Sequence, residues 1–161
     1  MSLVVPYDSS ELSRAALVRA VQFDEVLDQG VIVITAIPTN NVGYARNHGW
    51  LGDDEPFDGE TIVSRLRTEI ADIAPEATFA YQTVSRYAGA GEIGSKLRKM
   101  ARNHDASIVF IGSENAGRIV RSISVGQTLA TDRAYDTMLI SQAVPSKIPE
   151  LEEAAPTDEL L

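Results

Sequence analysis

The chain has 161 residues, 44% of them hydrophobic and 23% charged, an ordinary globular mixture in a length that suits one domain with a real core. It carries 23 acidic and 14 basic residues, a formal net charge of −9, and no cysteine. These totals exclude disulfides, thiolate metal sites and cysteine nucleophiles, and they argue against a duplex nucleic-acid binder, which would show a basic face. No apolar run is long enough to span a membrane, and nothing basic precedes Leu3-Val4-Val5 as a secretory signal would require. A cytoplasmic location is therefore expected. Lysine occurs only at 96, 99 and 147, and an acidic, lysine-poor surface suits a salt-rich cytoplasm in which self-repulsion is screened.

Leu3-Val4-Val5 reads as a first strand closed by Pro6. Asp8-Ser9-Ser10-Glu11 then gives a capping-box-like start signal, with Asp8 as the expected cap. Leu12, Ala16, Ala20, Phe23 and Leu27 recur at spacings of three and four, the apolar face of a helix that Gly30 would stop. Residues 31–37 form an almost continuous apolar run, a second buried strand ended by Pro38. Residues 39–58 read as a long loop, with Trp50 either covering part of the core or stacking on a ligand. Ile62, Leu66, Ile70 and Ile73 predict a second helix, and Phe79, Tyr81 and Val84 a more polar strand at a sheet edge. Ile93, Leu97 and Met100 or Ala101 give a third helix. Ile108-Val109-Phe110-Ile111 is a fourth strand ending on Gly112, and Thr137-Met138-Leu139-Ile140 a last one before Pro145.

Strands and helices thus alternate, and the strands are apolar on both sides. That pattern means an α/β domain with a single open parallel sheet and helices on both faces. The domain is expected over residues 1–145. The acidic stretch 146–161, with Pro149 and Pro156, reads as a disordered tail or a partner-binding segment.

The stretch from Ser107 to Thr128, SIVFIGSENAGRIVRSISVGQT, holds the main functional signal. A strand, a loop carrying Gly117, and Gly126-Gln127-Thr128 opening a helix make a natural anion site. Backbone N–H groups point outward there, and the helix dipole favours negative charge.

With Leu3–Arg14 (LVVPYDSSELSR) and Asp136–Gln142 (DTMLISQ), this stretch resembles the universal stress protein family over nearly the whole chain, apart from the 39–58 loop and the tail. The resemblance implies a five-stranded sheet of order 3-2-1-4-5, of the adenine-nucleotide alpha-hydrolase-like type, and a homodimer through the last strand at Met138, Leu139 and Ile140. It implies binding of ATP or AMP, with Mg²⁺ accompanying ATP, between the first and fourth strands. The family's glycine pattern is Gly, two residues, Gly, nine residues, Gly, then Ser or Thr. Gly112 matches the first position. Asn115 replaces the second, or Gly117 fills it with a shifted loop. Gly126 matches the third if the loop is one residue longer, followed by Gln127 and then Thr128. Glu114 adds a carboxylate in the implied phosphate cradle, and Arg118 and Arg121 could offset it. Asp8, after Pro6-Tyr7, stands where the family places an Asp near the adenosine, and Ala36, Ile37 and Ile111 where it packs the adenine.

Two functional classes follow: a stress-response protein that binds an adenine nucleotide weakly or conditionally, or a family member that has lost nucleotide binding and acts as a protein-interaction module. A slow ATPase is the enzymatic alternative, with Glu114 and Asp8 as its only candidate carboxylates. Gly89-Ala90-Gly91-Glu92-Ile93-Gly94 fits a G-x-G-x-x-G dinucleotide fingerprint. It follows the most polar strand, however, and reads better as a flexible connection into the third helix. His48 and His104 lack a second histidine at ligand spacing, so no metal site is expected.

Overall fold

The computed structural model describes residues 1–112 and 133–142. Five strands form one parallel sheet: β1 (Ser2–Pro6), β2 (Val31–Pro38), β3 (Thr78–Val84), β4 (Ala106–Gly112) and β5 (Asp136–Ile140). The order is β3-β2-β1-β4-β5, as expected. Pro6 closes β1 as its last residue, paired opposite Ile34. A proline fits at this last strand position, where few ladder bonds remain to be made.

Side-chain alternation assigns the two faces. Leu3, Val5, Val33 and Phe110 face one way and pack with Leu17 of α1 (Glu11–Leu27) and Ile62, Leu66 and Ile70 of α3 (Gly59–Ile73). Val4, Ile34, Val109 and Ile111 face the other way and pack with Ile93, Leu97 and Met100 of α4 (Ala90–Asn103). β1 and β2 are almost wholly buried, whereas β3, at the edge, leaves Tyr81, Gln82 and Thr83 exposed in succession, on both of its sides. This is why β3 alone reads as polar.

Four local expectations are corrected. The cap of α1 is Ser10, whose hydroxyl accepts from the Ser13 N–H; Asp8 instead accepts the Ser10 N–H in a turn ahead of the helix. The helix ends at Leu27, because Asp28 adopts the left-handed conformation (φ 50°), and Gly30 (φ 86°) turns the chain into β2. The 39–58 segment is not a plain loop. It contains the short helix α2 (Val42–Asn47) and sends Trp50 and Leu51 into the core at 1% and 4% exposure. The glycine run at 89–94 is not a flexible connection either. Gly89 caps α4, and Gly91 and Gly94 lie within the helix, which removes the phosphate-cradling loop a dinucleotide site requires. The expected helix at Gly126-Gln127-Thr128 and the 146–161 tail lie outside the described residues.

Candidate functional site

The strand order reverses between β1 and β4, and in open parallel sheets the crevice beyond the carboxyl ends at such a point is where ligands bind. The segment leaving β1 there, Tyr7 to Ser10, is fixed by a dense set of bonds. The Tyr7 N–H donates to the Ile34 carbonyl at 2.9 Å, and the Tyr7 carbonyl accepts from the Thr35 hydroxyl at 2.8 Å. The buried Tyr7 hydroxyl donates to Glu69 at 2.8 Å. Burial and this carboxylate together push the Tyr7 hydroxyl well above the usual phenol range.

Glu69, on α3, is the hub of the network. It also accepts from the Ser9 hydroxyl (3.2 Å) and from Arg14 (2.9 Å). Ser9 in turn accepts the indole N–H of Trp50 at 3.1 Å. These bonds hold Ser9 in the left-handed region at φ 69°, where a non-glycine residue persists only if its surroundings determine it.

Asp8 stands beside this cluster. One of its carboxylate oxygens takes the Ser10 N–H at 3.0 Å, and the other lies 3.7 Å from His48 Nε2. Nearly half of the Asp8 side chain is exposed (45%). The His48 ring stacks on Tyr44 (4.1 Å between centroids) and leans on Trp50 (5.2 Å). Its Nδ1 lies 2.9 Å from the Tyr44 carbonyl, an acceptor only, which places a proton on Nδ1. Burial first, and the Asp8 charge second, push the Tyr44 hydroxyl up to about 12. Chemically, Asp8 offers an accessible anionic acceptor suited to a hydroxyl or amino group, bordered by aromatic rings.

The other candidates are placed as follows. Ala36 and Ile111 belong to the cluster on the α4 face, and Ile37 to the cluster on the α1/α3 face; all three are buried. Ala36 and Ile37 therefore do not present one common surface. Gly112 ends β4 against α1, where a Cβ would meet the Leu12 carbonyl oxygen at 2.1 Å. Asn115, Gly117, Gly126, Gln127 and Thr128 lie outside the described residues, as do Glu114, Arg118 and Arg121.

Sequence reasoning missed Glu69, Ser9 and Tyr44 as members of this constellation. His48 and Trp50 were visible as singular residues in one loop, but their convergence on Asp8 and Ser9 was not. Among the described residues no three His, Cys, Asp or Glu side chains group as a metal site, and no helix is long and apolar enough to cross a membrane.

The family model described as "Universal stress protein family" matches residues 1–131. Solved structures show the same fold. A universal stress protein in complex with cAMP aligns at 20% identity over 87% of this chain and 96% of its own, with a TM-score of 0.53. The universal stress protein from Archaeoglobus fulgidus in complex with dAMP aligns at 15% identity over 87% and 97%, with a TM-score of 0.57. Universal stress protein UspA from Lactobacillus plantarum aligns at 12% identity over 87% and 97%, with a TM-score of 0.56. No functionally curated protein matches this sequence.

Proposed function

This chain belongs to the universal stress protein family, and from that premise we propose that it binds an adenine nucleotide, ATP or AMP, weakly or conditionally, in the crevice beyond β1 and β4. The observation that carries this reading is Asp8, a half-exposed carboxylate with one oxygen used by its own turn and the other turned toward His48, at the carboxyl end of β1 beside the point of strand reversal. The two relatives solved with cAMP and dAMP support it. Phosphates would lie toward Gly112 and the segment after it, with Mg²⁺ accompanying ATP. The role is binding in a cytoplasmic stress response, without turnover.

A homodimer through β5 belongs to the same reading. Within the described residues β5 pairs only with β4, and Leu139 on it is 39% exposed, an edge that favours pairing with a second copy. Light scattering at working salt tests this, and a clean monomer at micromolar concentration refutes it.

The test of the site is calorimetric titration with ATP·Mg²⁺ and with AMP at high KCl, on the parent chain and on Asp8→Ala. Micromolar binding that weakens at least tenfold in the variant supports the proposal. The absence of heat with both nucleotides favours the second reading, a protein-interaction module. One observation points that way: the contact of Gly112 with α1 accounts for the first glycine without any ligand.

A further inference from the structure

Positive charge is unevenly placed in this acidic protein. Residues 96–102 hold four cations, Lys96, Arg98, Lys99 and Arg102, and no acid, while the rest of the chain has ten cations against all 23 acidic residues. Helical spacing puts all four on the outer side of α4, because Leu97, Met100 and Ala101 take the inner one. They line a groove of about 610 Å³ whose opposite wall is Thr83 to Ser85 at the end of β3, with Glu92 near its upper end. β3 is the sheet edge, so nothing else in the described sheet covers this side.

The chain itself supplies a complementary charge. Residues 149–161, PELEEAAPTDELL, carry five carboxylates and no cation. The described chain last stands at Gln142, just past the upper end of β5. From there to the upper end of β3 is four strand spacings, about 19 Å at ~4.8 Å each. Eight residues, from 142 to Glu150, reach about 26 Å when extended. Glu150 can therefore arrive at the top of the groove, and the later carboxylates can run down it past Lys96 and Lys99.

We propose that the acidic stretch 149–161 of this same chain seats along the cationic groove of α4 as a salt-sensitive strap. It neutralises the one concentrated cationic surface among the described residues and keeps other polyanions off it. The attraction is between partly exposed charges, so it is strong at low ionic strength and screened at high salt, where the Debye length falls to about 3 Å at 1 M.

Because the chain has no cysteine, Thr157→Cys in the intact 161-residue chain gives a single nitroxide attachment site. The readout is paramagnetic loss of backbone amide signals. At low KCl the signals of residues 96–102 and of Ser85 are expected to be lost, and to return in 1 M KCl or when Lys96→Glu and Lys99→Glu are combined in the labelled chain. Arg98 and Arg102 make contacts of their own, so the two lysines are the better choice for reversal. Undisturbed signals from β1 and β2 in the variant establish that it folds. Unbroadened α4 signals at low KCl overturn the proposal. So does broadening that survives the charge reversal, or broadening that arises only between labelled and isotope-enriched molecules, which would assign the groove to a second copy's tail.

Discussion

Gly112→Ala separates two explanations of the glycine that ends β4. If the residue is small to let a phosphate approach, alanine removes binding and leaves the fold intact. The geometry points to the fold. A Cβ at Gly112 would lie 2.1 Å from the Leu12 carbonyl oxygen, 2.3 Å from its carbon and 2.7 Å from the Ser13 nitrogen, all inside the 3.0 Å limit that real Cβ contacts respect. The obstructing atoms are main chain in the first turn of α1, so no side chain can rotate out of the way. Helix and strand must separate by about 0.9 Å to raise the shortest contact to 3.0 Å, in a seam that buries Leu17, Phe110 and Val5. Overpacking costs about 1–3 kcal/mol, and backbone against backbone belongs at the upper end, about 3 kcal/mol. For a chain of this size that lowers the melting temperature by about 6–12 °C. Thermal unfolding followed by the fluorescence of Trp50, the single tryptophan, reads it without any nucleotide present. A melting temperature within about 2 °C of the parent, together with lost ATP heat, would refute the packing argument and assign the glycine to the ligand.

Further outcomes follow from the network around Asp8. Glu69→Ala strips the Tyr7 and Ser9 hydroxyls and Arg14 of their shared acceptor. It should lower stability by about 1–3 kcal/mol in urea, with Glu69→Gln recovering part; equal midpoints for the two variants would deny Glu69 its role as acceptor. Tyr44 predicts the alkaline limb of stability. Its folded pKa is pushed up to about 12, while an unfolded tyrosine ionises near ~10. The stabilisation is therefore complete below about pH 10 and is lost as the pH climbs toward ~12. Tyr44→Phe should make that limb shallower in a pH series of urea midpoints, with the raised Tyr7 hydroxyl supplying the remainder, and an unchanged slope would contradict it. Glu55 and Asp58 act at the acid end. Hydrogen bonds from Arg65 and the Gly52 N–H lower the first, and bonds from Thr61 and Glu60 lower the second. Both favour the folded state above their ordinary carboxylate range and lose that effect on acidification. Asn replacing Asp58 should blunt the acid limb, as seen in the same series. His48→Ala frees Asp8, and since exposed ion pairs are worth about 0–1 kcal/mol, nucleotide affinity should rise by up to about fivefold; a loss of affinity would make His48 a ligand contact.

Much of the fold was legible because its signals are local and repetitive. Central parallel strands are buried on both faces, so β1, β2 and β4 read as continuous apolar runs. The stripe of Ile62, Leu66 and Ile70 recurs every four residues over about two turns. The errors have physical causes. α1 runs about 25 Å over its 17 residues, against about 17 Å for the five of β1. Phe23 still packs edge-on against Phe110 of β4, 5.4 Å between centroids, yet it and Leu27 are left 36% and 39% exposed although the stripe includes them. α2 has six residues, too few for a periodic stripe to show. Four polar residues in a row, Asp8 to Glu11, hold more than one possible cap, and only the backbone decides for Ser10. The site was the least legible part. Tyr7 and Glu69 are 62 residues apart, and nothing local in a half-buried glutamate of an amphipathic helix announces a buried hydroxyl as its partner.

The 39–58 segment does two things at once, and the balance between them decides how a nucleotide could enter. Trp50 and Leu51 anchor it in the core. Arg65 clamps it by pairing with both carboxylate oxygens of Glu55 and by donating to the Trp50 carbonyl. Arg46 donates to the Glu55 carbonyl, and Asn41 to that of Arg86. Lifting the whole segment would unseat Trp50, and truncating a buried tryptophan costs about 3–5 kcal/mol. Swinging His48 off Asp8 breaks a long, partly exposed contact, the ring stack on Tyr44 and the Nδ1 hydrogen bond to the Tyr44 carbonyl, a smaller loss because His48 is not buried as Trp50 is. A ligand reaching Asp8 therefore has a low-energy route by exchange with one imidazole, with the loop left in place. On this account binding changes the surroundings of Trp50 through its neighbour His48 while leaving the core contacts of α2 and α3 as they are.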